Sequence, residues 1–415
     1  MTNLKYPLLF LFSVISTAGF SQKIATLEVD LPQATSNLAI PVKASLDEIT
    51  LLPDSVLSLV AVEGGKRTAI PSQIENGNER FIHWIIDPVN AKKGKHTFEL
   101  VKGVKNNPPA TIKINDQQGA LTVRTGDKNL VRYNYKTIYP PAGIDTAYKR
   151  SGFIHPLWTP HGQELTRIQA PDHYHHYGIW NPWTHVLFEK DTVDFWNIRD
   201  RKGTVRFANV VATTDGPVYS EYEVLQEHVA FKPGGKEKVA LNELQSVRVY
   251  QPKDQDYYIA DVTINMSCAS PSPVLLLAYR YGGFGWRTTE KWNKDNSEVL
   301  TSEGKNRKEA DGSTARWCIV QGQLDKDYGG LVMMSYPTNY NYPEPLRIWP
   351  ETMNGRGDMF ANFSPTKNKN WLLEPGKTYT LKYRLIVYNG RFTKEKAESG
   401  WQYFGNSPKV AVKLK

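Results

Sequence analysis

Three of the nine histidines fall in the run Pro171-Asp172-His173-Tyr174-His175-His176-Tyr177-Gly178-Ile179-Trp180. Imidazole exchanges protons near neutral pH and is the commonest side chain to ligate transition metals. The cluster therefore admits three roles. One histidine could act as a general base with a neighbour as acid or orienter. The segment could hold a divalent metal, with Asp172 or a remote side chain completing the shell. It could also be a structural, aromatic-rich rim. In an extended strand His173 and His175 share one face and His176 takes the other. His155, His161 and His185 lie close by in sequence, and Asp194, in Asp194-Phe195-Trp196-Asn197, is a candidate orienter.

A second constellation is Ala278-Tyr279-Arg280-Tyr281-Gly282-Gly283-Phe284-Gly285-Trp286-Arg287. Guanidinium forks match carboxylate or sulfate geometry, so Arg280 and Arg287 are candidate clamps for an acidic group. The glycines would let backbone approach a ligand or bend a rim strand. For Arg287 a solvent-facing position on an edge bulge is the plain alternative. A third group joins Arg316, beside Trp317, to Asn339 in the turn Pro337-Thr338-Asn339. Arg316 with Trp317 would pair ionic and stacking contacts with one sugar ring, Trp180 is a further substrate-binding candidate, and Asn339 would be a donor or merely a loop tie. No nucleophile elbow or phosphate loop is present, and no carboxyl pair of the glycosidase kind stands out.

These residues are positioned by strands. Short alternating runs bounded by Gly, Pro, Asn and Asp recur nearly throughout, as in Thr26–Asp30, Leu121–Arg124 and Tyr257–Ile264, so the fold class is all-β. Residues 22–105 have the size and strand spacing of a small Ig-like β-sandwich, ending near the polar, proline-containing run Val104–Pro109. Residues 111–405 read as one large two-sheet β-sandwich of the galactose-mutarotase-like supersandwich kind, since no blade repeat suggests a propeller. The polar segment Lys291–Asp311 reads as a long mobile loop. Cys268 and Cys318 are too few for a disulfide scaffold; export permits the two to pair, and buried thiols are the plain alternative.

Residues 1–21 carry Lys5, a short apolar run from Leu8 to Ile15, and small residues before Gln22, the pattern of a signal peptide. The expectation is an exported, periplasmic protein without a membrane anchor. The formal charge of +9 suits acidic partners. No basic helix or recognised motif points to nucleic acid, whereas 11 Trp and 22 Tyr supply stacking faces for an anionic oligosaccharide.

Several of these motifs, taken in series, resemble the methane oxygenase PmoA-like family of exported bacterial proteins. They are Ser151–Gly162, Thr166-Arg167, Asp172–Gly178, Asp194–Trp196, Arg280–Gly283, Ala315–Trp317, Pro337–Asn339 and Tyr383–Leu385, within about residues 120–390. One departure is Ser335-Tyr336-Pro337, where relatives are expected to carry Asp-His-Pro. The oxygenase of that family's name is not expected here, because no membrane-length apolar segment is present and no histidine stands at the expected mature start. The resemblance implies carbohydrate processing instead. Specifically, it implies an oligosaccharide dehydratase removing water from a non-reducing-end glucuronate or iduronate of ulvan-type chains, giving a 4,5-unsaturated uronate. In that chemistry Arg280 with Arg287 or Arg316, or a metal, would neutralise the carboxylate. His175 or His176 would take the C5 proton, the other histidine or Tyr281 would protonate the leaving hydroxyl, and His173 is a further catalytic candidate. No cofactor is demanded. A glycoside hydrolase, another lyase of modified sugars, and a noncatalytic glycan-binding protein are the alternatives.

Overall fold

The computed structural model describes residues 22–33, 37–103 and 109–415; the expected signal peptide and most of the linker run Val104–Pro109 lie outside them. The chain is an all-β protein of packed sheets, with one α-helix, Lys394–Gly405, among the described residues. No helix among those residues is long and apolar enough to cross a membrane.

Near the N-terminus a five-stranded and a three-stranded sheet face each other. Alternation in Gln22–Leu31 sends Ala25, Leu27, Val29 and Leu31 inward against Trp84, Phe98 and Leu100. The five-stranded sheet is completed from the far end of the chain, because Val410–Leu414 pairs antiparallel with Gln22–Leu31.

The remainder is built on two eight-stranded antiparallel sheets. The longer strands, Gly203–Thr214, Tyr219–Lys232, Lys236–Tyr250, Tyr257–Cys268, Thr378–Asn389, Asp327–Ser335, Trp317–Leu324 and Ser297–Thr301, form a central sheet buried on both faces over much of its area. In Tyr257–Cys268 the residues Tyr258, Ala260, Val262, Ile264 and Met266 enter the main core, while Tyr257 and Ile259 face the other way. That second face is covered by Leu38 and Ile85 from the N-terminal sheets and by Ala397, Trp401 and Phe404 of the helix. Thr393 caps this helix by accepting the Lys396 N–H at 3.2 Å. The main core lies between the central sheet and the second eight-stranded sheet. The second sheet runs Leu346–Ile348, Phe360–Phe363, Gly285–Arg287, Ile179–Trp180, Phe153–Leu157, Lys128–Asn134, Ala120–Thr125 and Ile112–Gln117.

The Lys291–Asp311 segment is not the loop its polarity suggests. Ser297–Thr301 is a strand of the central sheet, and Trp292 and Ala310 are fully buried. Arg307 holds the segment by donating to the carbonyls of Trp349, Gly357 and Asp358 at 2.8–3.0 Å. Both cysteines are free, and burial pushes the Cys318 thiol up to about 12.

Candidate active site

The second sheet positions the site by simple alternation. Ile154, Ile179, Trp286, Ile348 and Ala361 point into the core. Their neighbours Phe153, Trp180, Trp349 and Phe360 consequently form an aromatic layer on the outer face, joined by Tyr177 and Trp196. Against that layer lies a separate two-stranded hairpin, Ile168–Ala170 with His173–Tyr177.

Strand alternation fails within this hairpin. Ile168 pairs with Tyr177 and Ala170 with His173, so Gln169, at φ 49°, stands alone opposite Tyr174, His175 and His176. Such a bulge re-aims side chains. As a result His176 does not point away from its neighbours. The ring centroids of His173, His175 and His176 lie 4.6–5.3 Å apart. Chemically the three differ. His176 is sealed, 1 % exposed, among Trp180, Trp349, Phe360 and Trp196 at 5.1–6.0 Å. The His173 side chain is 28 % exposed, and its Nδ1 lies 2.7 Å from Asp172 Oδ2.

Asp172 is the hub of a polar cluster. It accepts from Arg287 Nη2 at 2.8 and 3.0 Å and from Asn354 Nδ2 at 2.9 Å. Asp358, a second carboxylate, also faces Arg287 Nη2 at 3.3 Å and Asn354 Nδ2 at 3.0 Å. Burial pushes the Asp172 carboxyl up, but the His173 hydrogen bond and the Arg287 charge outweigh it and hold the group below the ordinary carboxylate range. Burial, reinforced by the His173, Arg150 and Arg287 charges, lowers His175 to about 3. Burial likewise drives His176 well below its usual value, with the neighbouring His175 and His173 adding to it. Both imidazoles are neutral at neutral pH.

Buried nitrogens without a hydrogen-bond partner among the described residues gather here. They are Nδ1 of His176, Nε1 of Trp180, Nη1 of Arg287, and Nε and Nη1 of Arg150. Arg150 is 2 % exposed, donates to the Phe195 carbonyl at 2.8 Å and forms no ion pair among the described residues; burial lowers it to about 10. Unmatched buried nitrogens cost roughly 1–3 kcal/mol each and more on a charged group, and those of Trp180, Arg287 and Arg150 are obligate donors, so their concentration in one place suits an acceptor-rich ligand.

On the rim, Arg280 is exposed and sits over the Tyr281 ring at 5.5 Å, with no ion pair among the described residues. The Tyr281 hydroxyl accepts from Trp349 Nε1 at 2.9 Å and from Arg347 Nη2 at 3.1 Å. Trp349 in turn packs on His173 at 4.8 Å and lies under the Arg287 guanidinium at 4.5 Å. His173, His175, His176, Trp180, Tyr281 and Arg287 thus come together, with Arg280 beside Tyr281.

Other expected site residues are placed differently. Arg287 is neither solvent-facing nor a free clamp: it is 1 % exposed and committed to Asp172 and Asp358. Arg316 belongs to the opposite side of the central sheet, paired with Glu398 at 2.6 Å and stacked over Trp401 of the helix. Asn339 is a loop tie, buried at 4 % and bonded to Glu344 Oε2 at 2.8 Å and the Lys382 carbonyl at 2.9 Å. Asp194 does not orient the cluster. It accepts from Thr184 and from the N–H groups of Trp196 and Asn197, and Thr184 leads to His185. The glycines at 282, 283 and 285 make room for protein, not ligand, since a Cβ on Gly283 would meet Pro365 at 2.8 Å and one on Gly285 would meet Phe360 at 3.1 Å.

Arg150, Trp349, Asn354 and Asp358 were not legible as site residues. Arg150 stands within the Lys149-Arg150-Ser151 run, and nothing in its type or spacing distinguishes a buried unpaired arginine from a solvated one. A divalent metal does not fit the cluster. The His173 Nδ1 is taken by Asp172, His176 is enclosed by aromatic rings, and no group of three or more His, Cys, Asp or Glu among the described residues is arranged to hold an ion.

Two solved structures show limited similarity. The GH36 α-galactosidase AgaA of Geobacillus stearothermophilus is 11 % identical with a TM-score of 0.32, over 67 % of this chain and 40 % of that one. A galactose mutarotase related enzyme of Lactobacillus acidophilus is 9 % identical with a TM-score of 0.28, over 67 % of this chain and 97 % of that one. No curated protein matches the chain. Residues 120–402, which carry the whole hairpin, the aromatic layer and the polar cluster, match the family model DUF6807, and the chain therefore belongs to this family of unknown function.

Proposed function

We propose that the protein is a carbohydrate-active enzyme, a hydro-lyase acting on the non-reducing-end uronate of an anionic oligosaccharide. The observation that carries this reading is the Asp172–His173 pair beside a concentration of buried, unmatched donors. An Asp carboxylate accepting from Nδ1–H fixes the tautomer of His173 and leaves Nε2 as a proton acceptor. The half-exposed side of that ring is where a substrate can reach it.

The C5 proton of a uronate is α to a carboxylate and becomes acidic when that carboxylate is neutralised. Arg280, exposed beside Tyr281 and without an ion pair among the described residues, is the clamp this requires. Tyr281 receives two N–H donors on its oxygen, so its own proton is free to be given. In the proposed step the C5–H bond breaks as His173 takes the proton. The electron pair forms the C4–C5 double bond, and the C4 hydroxyl departs as water with the Tyr281 proton. Solvent exchange then returns the proton from His173 to Tyr281, and nothing is oxidised or reduced.

The test is incubation with glucuronate- and iduronate-terminated oligosaccharides. The expected result is ultraviolet absorbance of a conjugated unsaturated acid and a mass loss of one water without chain cleavage. Two smaller saccharides without a conjugated acid would replace this reading with hydrolysis, and binding without any product would reduce it to glycan recognition.

A further inference from the structure

The hairpin that carries the histidines has a second side. A groove of about 380 Å³ is lined by His155, Thr166, Arg167, Gln169, Glu290 and Lys291, and it extends to Ala170 and Pro171, adjacent in sequence to Asp172. This volume lies within the range of small-molecule sites. Its floor belongs to the same sheet face as the aromatic layer, because Phe153 and His155 flank the inward-pointing Ile154.

The polar groups are set, not merely present. Thr166 Oγ1 accepts the Leu157 N–H at 3.1 Å and lies 2.9 Å from His155 Nδ1. Thr166 therefore holds the His155 ring in place through Nδ1. Burial, with the Arg132 charge adding to it, lowers His155 to about 4, so the ring is neutral and its two nitrogens offer one donor and one acceptor. Arg167 faces Glu290 at 3.5 Å, and Lys291 donates to Gln163 Oε1 at 3.3 Å. The acids Glu164 and Glu290, the bases Arg167 and Lys291, and the neutral Thr166 and Gln169 line the groove together, a mixed set of donors and acceptors that complements a hydroxyl-rich sugar ring offering both.

We propose that this groove is a subsite for the sugar units that follow the reacting uronate, binding them through their hydroxyl groups. The inference rests on the hydro-lyase reading, and the hairpin would then be a partition with chemistry on one strand and chain recognition on the other. It follows that longer saccharides bind more tightly than a disaccharide.

Calorimetry on the full chain carrying His173→Ala, which keeps the substrate intact, tests this with a saturated glucuronate-terminated disaccharide and the corresponding tetrasaccharide. The tetrasaccharide is expected to bind about tenfold more tightly. Adding Arg167→Gln, or separately the half-buried Lys291→Gln, should remove most of that advantage while disaccharide affinity changes little. Equal affinity for the two saccharides would overturn the subsite and leave the hydro-lyase reading standing. So would an advantage that both substitutions leave intact. If neither saccharide binds and wild type yields no unsaturated product, the functional reading itself fails and the subsite with it.

Discussion

Two buried polar regions flank the main core, and they are built on opposite principles. Around Glu344, 0 % exposed, the carboxylate accepts from Asn339 Nδ2 and the Tyr383 hydroxyl at 2.8 Å each and from the Ser335 hydroxyl. The hairpin region is only partly buried at Asp172 and His173, and it leaves nitrogens of His176, Trp180, Arg150 and Arg287 unmatched among the described residues. A saturated network holds one conformation and has nothing left to offer a ligand. An unsaturated one is costly to keep in a folded protein, and that cost is repaid when a ligand supplies the missing acceptors. On the proposed reading the first region is architecture and the second carries the chemistry.

The largest expected effect comes from separating the two directly. His173→Ala should lower the rate of unsaturated-product formation by about 10²–10⁴-fold, the usual worth of a general base, while the melting temperature stays near that of wild type because the side chain is partly exposed. A rate within a few-fold of wild type would break the assignment of chemistry to the hairpin.

Asn339→Ala should do the reverse. It strips two donated hydrogen bonds and the acceptor for the Lys382 N–H, and it leaves a buried carboxylate short of a partner. The expected destabilisation is about 1–3 kcal/mol in denaturant unfolding, with activity per folded molecule unchanged. A large fall in turnover with intact stability would return Asn339 to the site and dissolve the contrast.

How far these roles were legible follows from the kind of information each needs. The all-β class and the inward positions of Tyr258, Val262 and Ile264 follow from a period of two, which is local. The histidine cluster was legible from composition alone. Its internal geometry was not, because alternation assigns His176 to the far face and only the pairing of Ile168 with Tyr177 reveals the bulge. Arg316 and Asn339 have the residue types of a sugar site, and what disqualifies them is a partner distant in sequence, Glu398 for one and Lys382 for the other. Arg150 was missed for the converse reason, since its significance lies in the partner it lacks. Val410–Leu414 joining the first sheet is likewise a long-range pairing that no local pattern announces.

The smallest expected effect distinguishes the regions by pH. Burial pushes the Glu344 carboxyl from its usual 4.5 to about 7, against the pull of its hydrogen bonds. Its folded-state value is raised, so the stability it contributes is fully present below about 4.5 and is lost as pH rises through 7. His175 behaves oppositely. It is lowered from 6.5 to about 3, so below 6.5 the unfolded chain binds a proton that the folded chain refuses, and stability falls as pH drops toward 3. Glu344→Gln removes only the first dependence, and its melting temperature should gain on wild type between about pH 4.5 and pH 7, level off above 7 and run parallel below 4.5. His175→Gln removes only the second, and its gain should grow as pH falls from 6.5 toward 4. Melting curves across this range read both slopes, and two variants that simply parallel wild type would mean that neither region carries the buried titration on which the comparison depends.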